Sequence, residues 1–421
     1  MKVTLLNTTE RTGGAAIAAK RLMKALIDNG IDAKTLVLKK QTDDENIVSI
    51  QSSFIKRKLA LLYFLWERLI IFLQNHFSRN NLFRISIANT GFDVSKHPLV
   101  KDADIIHLHW INQGLLSLEG IKKLLKSGNP VIWTMHDMWA CTGICHHARD
   151  CNFYQIQCHD CFYLNEPKNH DLSYKSFNKK KTIYQSGKIT FITCSHWLKS
   201  RAEKSALFSG KKIFSIPNPI DISLFKPMNK SLCREKFNLP KDKKLILFGA
   251  VKISDERKGI HYLIKAVELL SQKSEANNLE LVIFGKSNMD LLSISALTVN
   301  YLNFLSNEED IIAMYNAADV YVTPSLEENL PNTIMESLAC GLSCVGFNVG
   351  GIPEMIDHKI NGYVAEYESA EDLANGIYWT LFEADYEQLS QNARQKAIDC
   401  YSEKIVVEQY INLYKQLHYN S

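Results

Sequence analysis

One stretch of the sequence, residues 319–354, constrains the fold of this chain more than any other. It opens with β-forming residues at 320–322, continues through a loop and enters a helix at Pro331, because proline suits a first helical turn. That helix is expected to end at Gly341, and a second apolar strand follows at 344–347. Strand, loop, helix and strand form a βαβ unit, which leaves ligand-sized openings at the carboxyl ends of its strands.

Two carboxylates lie in this unit, Glu328 in the loop and Glu336 about one turn into the helix. Amide N–H groups at a helix start favour phosphate, and nearby carboxylates are placed to accept hydrogen bonds from sugar hydroxyls. The pattern indicates a nucleotide-sugar site, with the diphosphate on the helix start and one carboxylate for each sugar ring. The alternative is a pair of exposed glutamates that bind nothing.

The same unit resembles a known family signature. The run from Ser325 to Gly341, with Gly-Gly-Ile-Pro-Glu at 350–354, is similar to the donor signature of the family 4 retaining glycosyltransferases. The resemblance extends over nearly the whole chain and is of the bacterial surface-polysaccharide type. It implies an α/β fold called GT-B, in which two Rossmann-like, doubly wound parallel-sheet domains face each other across a cleft.

The resemblance also implies roles for individual residues. Glu336 is expected to hold the nucleotide ribose, and Glu328 is expected to contact the donor sugar. The loop and helix start are expected to approach the sugar and phosphates through Asn329, Leu330, Asn332 and Thr333.

Length and composition indicate a globular protein of two domains. A chain of 421 residues is too long for one ordinary core, and its 46% apolar and 22% charged residues are typical of globular proteins. The 49 basic and 45 acidic residues leave a formal net charge of +4, which does not predict nucleic-acid binding but suits anionic ligands. Because the amino terminus lacks the apolar core of a signal peptide, a cytoplasmic location is expected, including the inner face of the membrane.

The domain boundaries follow from motif positions and linker composition. Residues 1–220 are predicted to form an acceptor-binding domain, and residues 221–243, with two prolines and many lysines, a linker. Residues 244–400 are predicted to bind the donor. A terminal helix at 401–421 is expected, from the family resemblance, to cross back onto the first domain.

Glycines and cations mark two loops that suit phosphate. Gly13 and Gly14 lie between a predicted strand and helix, where glycine allows close approach to a ligand or tight packing. Lys258 matches a family lysine that clamps the donor diphosphate, and fixed cations stabilise the charge of a departing diphosphate. The family arginine before it is shifted or replaced here, and Lys252 or Arg257 is expected to substitute.

Polar side chains also follow two predicted strands of the first domain. His109 and Trp110 end the strand at 104–109, and His136 and Asp137 follow the next strand along the chain. A histidine at such a place is more often a satisfied loop residue than a catalyst. The resemblance implies that His136 contacts the donor sugar or acceptor, and it makes the other three candidates for the acceptor pocket.

Half of the ten cysteines fall within residues 141–161. Cys145, Cys151, Cys158 and Cys161 are four candidate thiolate ligands for a structural zinc ion, and a reducing compartment keeps thiols available. Their spacing is not that of a standard zinc finger. Disulfides or merely buried thiols are the alternatives, while similarity to some surface-polysaccharide transferases implies that the segment shapes a loop.

Residues 54–84 combine leucines and aromatics with six arginines or lysines. A helix of this kind lies on an anionic membrane surface with its apolar side down, or it packs that side on its own domain. A lipid-linked acceptor, which relatives use, supplies a reason for the first arrangement.

The expected reaction transfers a sugar from a nucleotide-sugar to a hydroxyl of a glycan or lipid-linked acceptor, with retention of configuration. No metal or cofactor is expected in catalysis, because nothing in the sequence is identified as the Asp-x-Asp metal site of the other large transferase fold. Two alternatives stay open: a nucleotide-sugar epimerase or glycoside phosphorylase on the same fold, and a non-catalytic scaffold of polysaccharide assembly.

Overall fold

A computed structural model describes residues 1–286, 295–305 and 307–419 of the chain. The chain divides into two compact units. The first comprises Met1–Asn218 together with the chain from Val406 on, and the second is Pro219–Ile405.

The first unit contains one seven-stranded sheet. Its strands are β1 (Lys2–Thr9), β2 (Asp32–Lys39), β3 (Ile47–Ser49), β4 (Ile105–Leu108), β5 (Val131–Met135), β6 (Ile189–Thr193) and β7 (Lys212–Ser215). They lie in the order β3-β2-β1-β4-β5-β6-β7, and every pair is parallel. Strands β4, β5 and β6 are buried along their whole length, as expected of a parallel sheet covered on both faces.

Six helices of the first unit precede the domain boundary. They are α1 (Gly14–Asp28), α2 (Phe54–Gln74), α3 (Pro98–Lys101), α4 (Leu118–Leu125), α5 (Leu172–Gln185) and α6 (His196–Glu203). Ser195 is the N-cap of α6, and its hydroxyl accepts a hydrogen bond from the Leu198 amide at 3.0 Å. Within the described residues, no helix has both the length and the apolarity needed to cross a bilayer.

The second unit contains a six-stranded sheet, again entirely parallel. Its strands are β8 (Lys244–Lys252), β9 (Leu279–Lys286), β10 (Thr298–Tyr301), β11 (Val320–Thr323), β12 (Cys344–Phe347) and β13 (Gly362–Ala365), in the order β10-β9-β8-β11-β12-β13. Its helices are α7 (Lys230–Lys236), α8 (Ile260–Leu270), α9 (Glu308–Ala317), α10 (Asn332–Ala339), α11 (Ile352–Met355), α12 (Ala370–Tyr378) and α13 (Tyr386–Tyr401). Two doubly wound parallel domains were predicted, and both are confirmed.

The last helix, α14 (Glu403–Tyr419), follows the predicted terminal helix except at its ends. From Val406 on it belongs to the first unit, where Val406, Tyr410 and Tyr414 join the core formed by β1 and its neighbours. Residues 420–421 of the predicted helix lie outside the described part of the chain.

The segment at 221–243, which was predicted to be a linker, belongs to the second compact unit. It folds with the second unit and includes α7, because Arg234 of that helix is buried and satisfied. The Arg234 guanidinium donates to the Asp319 carboxylate at 2.6 Å and to the Ala317 carbonyl at 2.9 Å. It also donates to three backbone carbonyls of the segment before β8, those of Pro240, Lys241 and Lys243.

Replacing Arg234 with methionine should destabilise the second unit by about 3 kcal/mol, because the buried Asp319 carboxylate loses its guanidinium partner. Lys236→Met is the matched control: Lys236 lies on the same helix and pairs with Asp310, but in solvent. That change should cost less than about 1 kcal/mol. Denaturant unfolding measures both, and equal losses for the two variants would contradict the assignment.

Candidate functional site

The candidate site of the second unit lies at the carboxyl ends of β8 and β11. The loop after β8 carries Lys258, and the loop after β11 carries Glu328. The Lys258 ammonium and the Glu328 carboxylate form a direct ion pair, with side chains 32% and 15% exposed. The structure therefore brings together the cation and the sugar-binding carboxylate that the sequence predicted separately.

Two glycines allow the loops of this site to touch through their backbones. Gly350 has a φ of +62°, and a Cβ added there would lie 1.7 Å from the Glu328 carbonyl oxygen. Gly259 has a φ of +67°, and its Cβ would lie 1.8 Å from the Pro324 carbonyl oxygen. The Gly351 amide also donates to the Glu328 carbonyl at 3.3 Å. The glycines therefore fix where the Glu328 loop lies.

The two other predicted cations are placed differently from Lys258. Arg257 forms an ion pair with Asp255 at 2.7 Å, and its carbonyl accepts a hydrogen bond from the Leu326 amide at 2.7 Å. Its backbone thus ties the two loops together while Asp255 holds its guanidinium. Lys252 is exposed at the irregular end of β8. Of the three cations, Lys258 forms an ion pair with Glu328, and Arg257 lies near enough to interact with the Glu328 charge.

Glu336 is buried in α10, with 6% of its surface exposed. The Tyr315 hydroxyl, on α9, donates to its Oε2 at 2.9 Å. Burial and the neighbouring carboxylate raise the pKa of Tyr315 well above its ordinary value, so the phenol stays protonated and donates. Tyr315 was not predicted, because a contact across 21 residues leaves no local signal in the sequence.

The start of α10 is where phosphate was expected. Pro331 precedes the helix and has no side-chain oxygen to cap the first amides. Asn332 and Thr333 form the first turn and are partly buried, as is Asn329 in the loop, whereas Leu330 is buried. The loop and helix start thus have the predicted positions along the chain; their contacts with a ligand stay predictions.

Three histidines gather near the carboxyl ends of β4 and β5 in the first unit. His107 Nδ1 lies 2.7 Å from the Tyr414 hydroxyl, and its Nε2 lies 2.7 Å from the Thr134 hydroxyl. His109 Nδ1 lies 2.9 Å from His136 Nε2. The structure therefore joins the predicted His136 and His109 in one hydrogen-bonded pair beside His107.

Burial keeps these imidazoles neutral. It lowers the pKa of His107 to about 3, that of His136 to about 4, and that of His109 well below its ordinary value. In the described part of the chain, His109 Nε2 is buried without a hydrogen-bond partner. Around neutral pH the cluster offers neutral donors and acceptors rather than a positive charge.

Asp137 is an internal hydrogen-bond hub. Its Oδ2 accepts from Trp110 Nε1 at 3.1 Å and lies 2.7 Å from His146 Nδ1, while its Oδ1 accepts from the Trp139 amide at 2.8 Å. Burial alone would raise the pKa of Asp137, but His146 and this amide outweigh burial and hold it well below its ordinary range. The carboxylate therefore orients Trp110, and His146, which was not predicted, completes the hub.

The predicted glycine loop precedes α1. Gly13 has a φ of +91°, in the left-handed region that favours glycine, and it is the residue before the helix. A Cβ added to Gly13 would meet no heavy atom of the described chain within 4 Å. Backbone conformation, rather than tight packing, requires the glycine. Contact of Gly13 and Gly14 with a ligand stays a prediction.

The cysteine-rich segment contains free thiols, so disulfides do not form there. Cys145, Cys158 and Cys161 are buried, and Cys151 is partly exposed. Burial raises the pKa of Cys145 to about 11. Across residues 1–286, 295–305 and 307–419, no group of three or more His, Cys, Asp or Glu side chains is arranged to hold a metal ion. Zinc binding by these four cysteines therefore stays a prediction.

The chain does contain one Asp-x-Asp spacing, formed by Asp102 and Asp104. Both residues lie at the amino end of β4, where Asp104 accepts a hydrogen bond from the Lys2 amide at 2.7 Å. The candidate histidines instead follow the carboxyl ends of their strands. This motif therefore belongs to the opposite edge of the sheet from the candidate site.

Comparison with family models shows the family. Residues 12–224, just over half of the chain, match the model described as Glycosyltransferase Family 4, and residues 229–396 match that of Glycosyl transferases group 1. The chain belongs to glycosyltransferase family 4, as its sequence signature predicted.

One similar protein is the N,N'-diacetylbacillosaminyl-diphospho-undecaprenol alpha-1,3-N-acetylgalactosaminyltransferase of Campylobacter jejuni. It is 28% identical to this chain over 181 residues, which cover 43% of this chain and 47% of that protein. The putative colanic acid biosynthesis glycosyl transferase WcaC of Escherichia coli is 23% identical over 354 residues, which is 80% of each chain. The matches span about half the length of the first curated relatives.

A glycosyltransferase from Rickettsia africae has the same fold, with a TM-score of 0.67 and 17% identity. The comparison covers 100% of this chain and 99% of that chain. The predicted GT-B fold is confirmed.

The unfolding free energy should fall as the pH drops from about 6.5 toward 4. Histidines of the unfolded chain take up a proton near pH 6.5. In the folded chain, His136 stays unprotonated down to about pH 4 and His107 down to about pH 3. Each buried histidine adds a slope of up to about 1.4 kcal/mol per pH unit in this window, and its contribution is complete above it.

Denaturant unfolding of the His107→Gln variant should show a smaller pH slope than that of the natural chain. His261→Gln, which removes an exposed imidazole, is the matched control. An unchanged slope in His107→Gln would show that His107 is not held neutral.

Proposed function

We propose that this protein transfers a sugar from a nucleotide-sugar to a hydroxyl of a glycan or lipid-linked acceptor in surface-polysaccharide assembly, with retention of configuration. The observation that carries the proposal is the Lys258–Glu328 ion pair, set beside the buried Glu336 at one edge of the second sheet. An inert binding protein has no need for a cation and two carboxylates at that edge.

Family membership and the relatives' names support the choice of substrates. The Campylobacter relative is named for a diphospho-undecaprenol acceptor, and the Escherichia coli relative for colanic acid biosynthesis. The first name describes sugar transfer to a lipid diphosphate, and the second describes glycosyl transfer in colanic acid biosynthesis. A lipid diphosphate or a growing glycan is therefore the acceptor class proposed here.

The proposed donor site uses opposite charges for opposite ends of the nucleotide-sugar. The amides at the start of α10 and the Lys258 ammonium face the diphosphate, because both favour negative charge. The Glu328 carboxylate accepts hydrogen bonds from the donor sugar, and Glu336, oriented by Tyr315, accepts them from the ribose. A carboxylate that is already buried and oriented loses less conformational entropy when it binds a hydroxyl than a mobile carboxylate does.

Donor binding is proposed to open the Lys258–Glu328 pair. Without a donor, each of these groups neutralises the other. An arriving diphosphate offers Lys258 a stronger anion, and the sugar hydroxyls offer Glu328 donors in exchange. The pair thus keeps both groups in place without leaving a partly buried charge unpaired.

The chemical step is proposed to occur on one face of the sugar and to involve no metal ion. The bond between the anomeric carbon and the phosphate oxygen breaks, and its electron pair leaves with the nucleoside diphosphate. The acceptor oxygen forms the new bond from the same face, and its proton passes to the departing phosphate oxygen. Lys258 stabilises the charge that develops on that phosphate. Neutral His136 is proposed to line the reaction centre as a hydrogen-bond partner.

Replacing Lys258 with alanine or Glu328 with glutamine should lower acceptor-dependent release of nucleoside diphosphate by roughly 100-fold or more, because each change removes a charge aligned with the reacting groups. Lys265→Ala and Glu268→Gln, both exposed on α8, are the matched controls and should retain activity. Melting temperatures with UDP-, GDP- and ADP-sugars test donor binding separately, since a ligand that binds the folded state stabilises it.

One nucleotide should raise the melting temperature, and Glu336→Gln should weaken that shift. Full activity in both Lys258→Ala and Glu328→Gln would overturn the catalytic assignment. Turnover without an acceptor would instead indicate an epimerase, and consumption of inorganic phosphate would indicate a phosphorylase. No shift with any nucleotide would favour a scaffold.

A structural zinc ion is also proposed for the cysteine segment. Four thiols of one short loop support it, three of them buried, and a metal is the common use of such a set in a reducing compartment. Protein purified without chelators should contain about one zinc ion per chain by mass spectrometry, and Cys158→Ser should lose it. Cys233→Ser, which removes a buried cysteine of the second unit, is the control. Metal-free, fully folded protein would refute the proposal.

A further inference from the structure

Helix α2 exposes its apolar side. Eight large apolar side chains of this helix are solvent-exposed, from 42% at Leu69 to 77% at Ile55: Phe54, Ile55, Leu61, Leu62, Leu65, Trp66, Leu69 and Leu73. Their spacing of three, four and seven residues places them on one face of the helix. We call these eight residues the α2 face. The helix packs on its own domain through its other side, which carries Ala60 and Ile71, and these eight side chains are left in solvent.

A buried ion pair holds the helix in this orientation. Glu67 is 1% exposed, and one of its oxygens accepts hydrogen bonds from the Ile87 and Ala88 amides, each at 2.8 Å. The other oxygen lies 2.9 Å from the Arg68 guanidinium. Arg68 in turn donates to the Ile85 carbonyl at 3.1 Å. Because Glu67 and Arg68 lie inside the domain, the opposite side of α2, with its leucines and its tryptophan, faces solvent.

The exposed charges of α2 itself are all of one sign. Lys56, Arg57 and Lys58 are exposed in the first turns of the helix, and Glu67, the one acidic residue in the sequence from 54 to 84, is buried. Arg57 also lines one surface depression with Lys39 and Lys40 at the end of β2. An apolar face with a cationic end complements a surface that is anionic outside and apolar beneath.

We infer that the α2 face docks on an anionic lipid bilayer, with the helix lying along the membrane surface. The apolar side chains enter the region between headgroups and acyl chains, and the three cations contact lipid phosphates. Lysine and arginine stems reach from that depth back to the headgroups. A helix of 21 residues is about 30 Å long, so a single face offers a long, continuous contact.

Charge favours a bilayer over a second copy of the chain as the occupant. A second α2 face would bring further cations and no exposed carboxylate from its own helix to meet them. Anionic headgroups supply that missing charge. The inference does not rest on the proposed reaction, because docking needs no donor or acceptor, although it would place the enzyme where a lipid-linked acceptor lies.

Co-sedimentation with lipid vesicles tests the inference. The full chain should bind vesicles of phosphatidylglycerol and phosphatidylcholine, and bind pure phosphatidylcholine far less. Leu62→Glu combined with Leu65→Glu should lower the partition coefficient by roughly tenfold or more, because the bilayer no longer buries two leucines and meets two added negative charges. Arg57→Gln combined with Lys58→Gln should lower it roughly 25-fold, since each basic residue near the surface is worth about fivefold.

Controls separate docking from folding and from catalysis. Leu232→Glu makes one such substitution at an exposed leucine of the second unit and should leave vesicle binding unchanged. The melting temperature and nucleotide response of each variant report whether fold and donor site are intact. The inference would be overturned if the natural chain bound anionic and neutral vesicles equally. It would also be overturned if the α2 variants bound anionic vesicles as well as the natural chain does. A stable dimer without lipid that Leu62→Glu/Leu65→Glu dissociates would also overturn it, and would assign the face to a second copy.

Discussion

The contact between Gly350 and the Glu328 carbonyl is the constraint on which the proposed donor site depends. It brings the turn after β12 against the loop after β11 at a distance that no side chain permits. Gly259 makes the equivalent contact with Pro324, so the loop that carries Glu328 is held from both sides. Precision at this site therefore comes from backbone packing at the sheet edge. Lys258 and Glu328 meet because these backbone contacts hold their two loops against each other.

Three ion pairs of the protein show how exposure decides what a charge does. Glu67–Arg68 and Asp319–Arg234 are buried and hydrogen-bonded to backbone groups, so they fix an orientation. Lys258–Glu328 is partly exposed and has few other partners among the described contacts. Similar chemistry thus fixes structure in two places, and in the third it suits the proposed exchange of partners with a donor.

The sequence was most informative where local pattern and function coincide. The strand, loop and helix of the donor unit appear within a residue or so of their predicted bounds, because proline, glycine and apolar runs act locally. The long-range partners were not predictable: Tyr315 reaches Glu336 from another helix, and His146 reaches Asp137 from an irregular loop. The rotation of α2 was hidden as well. Periodicity locates the apolar side of a helix, but it does not say which side faces the core when a buried charge pair competes.

The burial of Arg234 also bears on how the second unit can be produced by itself. A fragment begun at the first strand, Lys244, would discard α7 and leave the Asp319 carboxylate without its guanidinium and without Lys230. A fragment begun at Pro219 keeps both cations and the carbonyls that Arg234 gathers. The boundary that a sheet diagram suggests is therefore some twenty-five residues too late, and truncations for crystallisation or binding studies belong before α7.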